Sequence, residues 1–321
     1  MTPPDRAHLH FKSVSFSGLD GGPRLIITGA VHGNETCGTQ AIGRVLNEID
    51  SGALKIARGR VTFVPITNPL AYARKDRIGD RNLNRNLSPT ENPKDFEDHV
   101  ANWLCPLLAQ HEALLDLHST RAVSQPFAML GPKDNDGDLQ PFKLSELERA
   151  MARHLGVKRF VDGWLETYAK GVARRVAEGT GSELNRSPRY GVGTTEYMRS
   201  IGGYAVTLEC GQHDDPSSVD VAYRAIHNVL AFLKISTEPA PPPVREYEAL
   251  HLGEVIDRVH TEDAFSRAWT SFDRLAKGDV IGKRHDGAVI TAPHEGWIVF
   301  PDAKSLPGNE WFYLAEPLAG I

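Results

Sequence analysis

Hydrophobic positions along the first two thirds of the chain follow two alternating patterns. Short continuous apolar runs, which predict buried strands, occupy residues 25–31, 61–66, 113–117 and 204–208. Apolar residues at helical spacing, which predict amphipathic helices, occupy residues 42–49, 96–108, 144–155 and 221–233. Because strands alternate with helices, we predict an α/β fold with a doubly wound, mostly parallel sheet and helices on both faces.

Three further segments have weaker patterns. We predict an N-terminal strand near Leu9–Val14 and another short strand within residues 126–130. Residues 179–199 contain few large apolar side chains and several Gly, Ser and Thr. A long polar segment of this kind is typical of a cover over a site or of a disordered insert.

The pattern changes after residue 238. Residues 239–243 include four prolines, which predict a stiff linker. Beyond them, short apolar runs are separated by turn sequences such as Asp286-Gly287 and Pro307-Gly308, as in an all-β unit. We therefore predict a large domain over residues 1–238, a linker over residues 239–243 and a C-terminal β domain over residues 244–321.

Candidate metal ligands stand where two of the predicted strands end. His32 and Glu35 follow the run at 25–31, and His118 follows the run at 113–117. The carboxyl ends of parallel strands meet at one edge of a sheet, where ligands bind. A lone His–Glu pair is more often a solvated helix start with Glu near the N-terminal dipole. With His118 added, the three residues form the His₂Glu set of catalytic zinc sites, which leaves one position for water.

Two other features predict chemistry near such an ion. Arg77, Arg81 and Arg85 place three guanidinium groups within nine residues. A solvated surface loop and a carboxylate-binding segment are equally good interpretations of that cluster on its own. Glu209 follows an apolar strand, and a buried carboxylate without a partner is costly, which favours a role as general base at the site.

Composition and charge exclude several classes of function. The chain of 321 residues has a net charge of −5 and no basic stripe, so we expect no nucleic-acid partner. It contains no apolar window long enough to cross a membrane, and its N-terminus lacks a signal-peptide pattern. With three cysteines and no C-x-x-C motif, we expect a cytoplasmic protein in which Cys37 and Cys210 are small buried hydrophobes.

The ordered motifs resemble the aspartoacylase/succinylglutamate desuccinylase family. They are His32-Gly33-Asn34-Glu35, Asn84-Arg85, Asp116-Leu117-His118 and Glu209, with Arg199 ten residues before Glu209 and a C-terminal stretch at 292–301. This resemblance covers nearly the whole chain. It implies a mixed sheet of the zinc-carboxypeptidase type, with a catalytic zinc-hydrolase domain at 1–238 and a small C-terminal all-β domain.

The resemblance also implies roles for the residues that match. His32, Glu35 and His118 would hold one zinc ion per chain. Glu209 would activate water and pass the proton to the leaving amine, and Arg77 would stabilise the oxyanion.

Other matching residues would contact the substrate. Asn84 and Arg85 would bind the α-carboxylate of the amino-acid moiety, and Arg199 would take a second carboxylate. Asp116 orients a ligand or is a buried structural Asp, and both interpretations stay open. The substrate-contacting Tyr of aspartoacylase aligns near Leu306, with Tyr313 as an alternative, whereas we expect Trp164 to be a packing or surface residue.

Together these features predict a zinc-dependent amidohydrolase. Its substrate would be a small N-acyl amino acid, N-acetyl or N-succinyl and acidic, hydrolysed by a zinc-activated water with a Glu general base. A zinc carboxypeptidase acting on short peptides is the alternative enzyme. A non-catalytic metal- or ligand-binding protein on the same scaffold is the alternative of another class. The sequence leaves a homo-oligomer open.

Overall fold

The computed structural model describes residue 6, residues 8–180 and residues 184–321. Residues 1–5, 7 and 181–183 lie outside the described residues, and the last three belong to the predicted polar segment. The described strands are β1 (Val14–Ser17), β2 (Asp20–Gly29), β3 (Arg58–Val64), β4 (Ala113–Thr120), β5 (Phe127–Met129), β6 (Arg159–Asp162), β7 (Tyr204–Gln212), β8 (Glu248–Asp257), β9 (Ala264–Phe265), β10 (Arg274–Leu275), β11 (Val280–Lys283), β12 (Val289–Thr291), β13 (Gly296–Val299) and β14 (Glu310–Pro317). The described helices are α1 (Cys37–Ser51), α2 (Pro69–Arg74), α3 (Phe96–Leu108), α4 (Ser145–Ala152), α5 (Trp164–Ala177), α6 (Thr194–Ser200) and α7 (Ser217–Phe232).

Most strands join one large mixed sheet. Its order, taken over the described residues, is β1-β3-β2-β4-β7-β5-β6-β8-β14-β13-β10. The strands β3, β2, β4 and β7 run parallel to one another, and β5 is antiparallel to β7. A separate small antiparallel sheet has the order β12-β11-β9. The predicted α/β class and mixed sheet are confirmed.

Helices cover both faces of the large sheet because alternate strand residues point to opposite sides. On β2, Leu25 and Ile27 pack in a core cluster with residues of α1, α4 and α7. The intervening Ile26 packs in a second cluster with residues of α3 and α6. Both faces of the central strands are therefore buried from solvent, which explains their continuous apolar runs.

The large sheet continues past the proline-rich segment at 239–243. Strand β8 pairs in parallel with β6 on one side and antiparallel with β14 on the other. The strands β13 and β10 extend the same sheet. The division into a large domain, a linker and a β domain stays a prediction.

One prediction of local structure is wrong. The N-terminal strand begins at Val14 rather than near Leu9, because the preceding segment packs its side chains on helix α3: the Phe11 ring stacks on Trp103 with centroids 5.2 Å apart. For the polar segment at 179–199, the structure favours the first of the two predicted alternatives, a cover over a site. Its described residues contain 3₁₀ turns at Leu184–Arg186 and Pro188–Gly191 and most of α6, and Tyr190 and Thr195 line the cavity described below. Helix α5 was not predicted. In the described part of the chain, no helix is long and apolar enough to cross a membrane.

Candidate active site

The turn after β2 positions the first pair of candidate ligands. Ala30 adopts a left-handed conformation with φ of 48°, which turns the chain sharply away from the strand. A Cβ atom on Gly33 would lie 2.0 Å from the backbone carbon of Ala71, so only glycine fits this close approach to α2. The Glu35 amide donates to the His32 carbonyl at 3.1 Å. His32 and Glu35 are thereby held on one short turn.

The register of the central strands brings the other two residues to the same edge. Gly29 of β2 pairs with Leu117 of β4, which places His118 beside the turn. His118 in turn pairs with Glu209 of β7. The candidate third ligand and the candidate general base are therefore neighbours across two parallel strands.

Three buried side chains converge at this edge. The Nδ1 atom of His32 lies 2.9 Å from Oε1 of Glu35, and the Nδ1 atom of His118 lies 2.9 Å from Oε2 of Glu35. One ligand atom from each residue lies within 4.8 Å of those of the other two. Each residue is at most 2% exposed. This geometry allows all three side chains to bind one metal ion.

The hydrogen-bond partners of the imidazoles also fit a metal ion. The Nε2 atom of His32 lies 3.0 Å from Oδ1 of Asn82, while its buried Nδ1 makes no hydrogen bond of acceptable geometry within the described residues. Burial, assisted by the positive charge of Arg77, lowers the pKa of His32 to about 4, so its imidazole is neutral as metal ligation requires. The Nε2 atom of His118 lies 2.8 Å from Oδ2 of Asp116, which leaves Nδ1 of His118 facing the site.

Glu209 lies beside this group. It is 8% exposed, and its buried Oε2 atom has no hydrogen-bond partner among the described residues. Burial and the negative charge of Glu35 raise the pKa of Glu209 to about 8. A carboxylate with a raised pKa near a reacting centre can both take and return a proton at neutral pH. Arg77 contacts the other side of the group, with its guanidinium nitrogen 2.9 Å from Oε1 of Glu35.

A cavity of about 620 Å³ opens over these residues. Its wall includes His32, Arg77, Arg85, Glu209, Tyr168 and Tyr313. The guanidinium carbon of Arg85 lies 4.7 Å from the Trp164 ring centroid and 5.7 Å from that of Tyr168. The Asn84 side-chain oxygen accepts a hydrogen bond from the Thr194 amide at 3.0 Å, so Asn84 joins the Arg85 segment to α6.

Comparison with known proteins identifies the family. The model of the succinylglutamate desuccinylase/aspartoacylase catalytic domain matches residues 21–234, which is more than half of the chain. The chain belongs to this family. The predicted resemblance is confirmed.

Individual relatives agree with this assignment. A succinylglutamate desuccinylase from Vibrio cholerae is 25% identical over 290 residues, covering 89% of this chain and 78% of the relative. A solved succinylglutamate desuccinylase/aspartoacylase from Rhodobacter sphaeroides has a TM-score of 0.72 at 18% identity, covering 95% of this chain and 88% of that one. The solved succinylglutamate desuccinylase from Vibrio cholerae has a TM-score of 0.70 at 21% identity, covering 95% and 85%. The solved structures show that the fold is shared.

Within this member of the family, Arg199 has a different setting from the other arginines. It lines the cavity but is 4% exposed. Its guanidinium contacts Glu148 at 2.7 Å and Glu196 at 3.3 Å, and it donates to the Ala205 carbonyl at 2.7 Å. The role of carboxylate binder that the resemblance gives Arg199 would compete with these contacts.

Sequence reasoning missed several residues around the site. Asn82 contacts His32, and its spacing in the arginine-rich run gave no signal of this contact. Tyr168 lines the cavity from α5, a helix that was not predicted. Trp164, expected to be packing or surface, also lines the cavity. Leu306 and Tyr313, which the resemblance did bring to attention as alternative positions for a substrate-contacting Tyr, both line the cavity as well.

Cys37 and Cys210 stand near the site but are free and buried, as predicted. Asp116 is fully buried, and its Oδ2 contact with His118 favours the interpretation in which it orients a ligand.

Proposed function

We propose that this chain is a zinc-dependent amidohydrolase that splits a small N-acyl amino acid into a carboxylate and a free amino acid. One observation carries the proposal. His32, Glu35 and His118 converge on one point, and next to them lies the carboxylate of Glu209, whose Oε2 atom has no hydrogen-bond partner among the described residues. The donor set and the neutral imidazole of His32 fit a catalytic zinc ion, one per chain. The family assignment supports a hydrolase of amide bonds.

Each residue at the strand edge then has a distinct task. His32, Glu35 and His118 would hold the ion, which when bound polarises the amide carbonyl and makes water more acidic. Glu209 takes a proton from the attacking water and delivers it to the leaving amine nitrogen. Its raised pKa of about 8 suits both transfers near neutral pH.

The arginines would orient the substrate and stabilise the charge that develops. Arg77 contacts Glu35 and lines the cavity, which supports a role in stabilising the oxyanion of the tetrahedral intermediate. The Arg85 fork would bind the α-carboxylate of the amino-acid moiety. Stacking of Arg85 on Trp164 preorganises that fork, and Asn84 fixes the backbone beside it.

The segment between β13 and β14, which forms part of the cavity wall, favours a small substrate. Residues 300–309, between β13 and β14, contribute Pro301, Leu306 and neighbouring side chains to the cavity wall. Arg258 holds this segment in place by donating to the Ala303 and Ser305 carbonyls, each at 2.9 Å. A cavity of about 620 Å³ bounded by this segment suits an N-acyl amino acid better than a longer peptide, which supports a deacylase over a carboxypeptidase.

The experiment combines metal analysis with kinetics. The purified protein should contain zinc, hydrolyse N-acyl amino acids and lose activity on chelation. Glu209→Gln should lower kcat by about 10²–10⁴-fold at unchanged zinc content, because the variant keeps the shape but cannot take the proton. Glu112→Gln, at a half-exposed ion pair with Arg24, is the matched control and should retain full activity.

Two results would contradict the proposal. One is a Glu209→Gln variant with wild-type turnover. The other is faster hydrolysis of dipeptides than of N-acyl amino acids, which would favour the carboxypeptidase. Absence of any turnover in a zinc-loaded, folded protein would instead favour a non-catalytic binding protein.

A further inference from the structure

The contacts and burial of Arg199 bear on which substrates the cavity can bind. Its Nε donates to Glu148 at 2.7 Å, and its terminal nitrogens contact Glu196 at 3.3 Å and the Ala205 carbonyl at 2.7 Å. The side chains of Arg199, Glu148 and Glu196 are 2%, 0% and 8% exposed, respectively. A guanidinium held on all three of its nitrogens in a dry environment cannot turn toward a ligand without breaking buried ion pairs.

The charges of Arg199, Glu148 and Glu196, which together we call the cluster, do not cancel. Two carboxylates, Glu148 and Glu196, face one guanidinium, so the cluster of three carries one net negative charge. Glu148 is fixed further by the Ala205 amide, which donates to it at 3.1 Å. Glu196 is fixed by the Gly193 amide, which donates to it at 3.0 Å. This end of the cavity therefore offers no net positive charge to a second carboxylate.

The other arginines of the cavity wall are also paired with carboxylates, with one exception among the described residues. Nitrogen–oxygen distances to the paired carboxylates are 2.9 Å for Arg77, 2.8 Å for Arg81 and 3.0 Å for Arg121. The Arg85 guanidinium, in contrast, comes no closer than 3.9 Å to a carboxylate of the described residues, that of Glu310. Lys304 is exposed at the rim. The buried part of the cavity is therefore built to balance one substrate carboxylate.

We propose that the cavity selects N-acyl amino acids whose side chain and acyl group carry no carboxylate. This inference rests on the proposed deacylase function and names the substrate class. The α-carboxylate pairs with Arg85, and the end of the cavity beside Arg199 receives an uncharged or cationic group. Met129, Leu130 and Thr207 line that end together with Arg199 and Glu196. An acidic side chain there would face Glu196 without a cation of its own, and like charges in a desolvated site disfavour binding.

Matched substrate pairs test the proposal. N-acetylasparagine and N-acetylaspartate have nearly the same shape and differ in one charge, as do N-acetylglutamine and N-acetylglutamate. We expect kcat/KM to be higher for the amide member of each pair by about tenfold or more. N-acetylglutamate should likewise exceed N-succinylglutamate, which carries an additional carboxylate on its acyl group.

A variant tests the charge balance directly. Glu196→Gln removes one of the two carboxylates, while its side-chain oxygen can still accept the Gly193 amide. We expect the ratio of kcat/KM for N-acetylaspartate over N-acetylasparagine to rise by about fivefold or more, because the cluster becomes neutral. Glu166→Gln, at an exposed ion pair with Lys170 on α5, is the matched control and should leave the ratio unchanged.

The outcomes separate the two proposals. A wild-type preference for N-acetylaspartate or N-succinylglutamate would overturn the selectivity but leave the deacylase function intact. An unchanged ratio in a folded Glu196→Gln variant would also overturn it. If no member of any pair is hydrolysed by zinc-loaded protein, the deacylase function itself fails. The wild-type comparison stands even where Glu196→Gln does not fold.

Discussion

Asp116→Asn tests how the protein orients its candidate metal ligands. The Oδ2 atom of Asp116 accepts a hydrogen bond from Nε2–H of His118 at 2.8 Å, which leaves Nδ1 of His118 for the ion. The other carboxylate oxygen accepts from the Thr28 hydroxyl at 2.6 Å, and Thr194 donates to Oδ2 as well. Asp116 is fully buried. The substitution therefore changes the charge behind His118 with little change in shape.

The expected loss follows from the role of this carboxylate. Removing the partner of a metal-bound imidazole lowers metal affinity by about 10–100-fold. That range corresponds to about 1.4–2.7 kcal/mol of binding free energy. The Asn side chain is a weaker acceptor for Nε2–H, so it neither fixes the ring orientation as firmly nor raises the basicity of Nδ1. The free energy of unfolding of the metal-free protein should also fall by about 1–3 kcal/mol.

A second Asp–His pair supplies the control. Asp162 at the end of β6 accepts from Nδ1 of His251 at 2.6 Å, and its side chain is 8% exposed. Asp162→Asn therefore makes the same chemical change at an Asp–His pair in which the carboxylate is buried and neither residue is a candidate ligand. We expect a similar loss of stability and an unchanged affinity for zinc.

The assay is a competition titration of metal-free protein against a chromophoric chelator, with folding checked by circular dichroism. If Asp116→Asn binds zinc within about threefold of the wild-type affinity, Asp116 does not tune His118 in the way proposed. An equal loss of zinc affinity in Asp162→Asn would show that general destabilisation, rather than ligand orientation, explains the effect.

Two further predictions concern the turn and the C-terminal region. Gly33→Ala places a Cβ atom 2.0 Å from the Ala71 backbone and should weaken zinc binding by at least about tenfold. The control Gly43→Ala, on an open helix face, should instead raise the free energy of unfolding by about 0.5–1 kcal/mol. Equal zinc affinity in the two variants, measured by the same titration, would refute the steric reasoning. Burial tends to raise the pKa of Asp263, but backbone amides and the Arg284 guanidinium outweigh it and hold that pKa well below its usual value. The carboxylate of Asp263 therefore stabilises the fold at pH values above the unfolded-state pKa of about 3.9, and this contribution is lost as the pH falls below it. In urea unfolding of the metal-free protein, the free energy of unfolding should fall more steeply below about pH 4 for wild type than for Asp263→Asn. Parallel pH profiles of the two proteins would contradict this.

The sequence supported the strand-edge site because the apolar pattern of a buried strand is a local property. A buried strand is recognised from its own residues, and the carboxyl ends of parallel neighbours must share an edge. His32 and His118 each follow such a strand, so their convergence was predictable although 85 other residues separate them in the sequence. Glu209 gave the same kind of signal, since a carboxylate at the end of an apolar strand requires an explanation.

The substrate end of the cavity depends on contacts that no local pattern contains. Glu148 lies on a predicted helix, where a carboxylate normally faces solvent, and nothing near it in the sequence indicates that it pairs with Arg199, 51 residues later. The family resemblance assigns Arg199 to a substrate carboxylate, whereas the structure surrounds it with carboxylates of its own. The identity of a ligating residue can follow from its position on a strand. The charge that it offers to a substrate depends on every group packed against it, and that environment is set by tertiary structure.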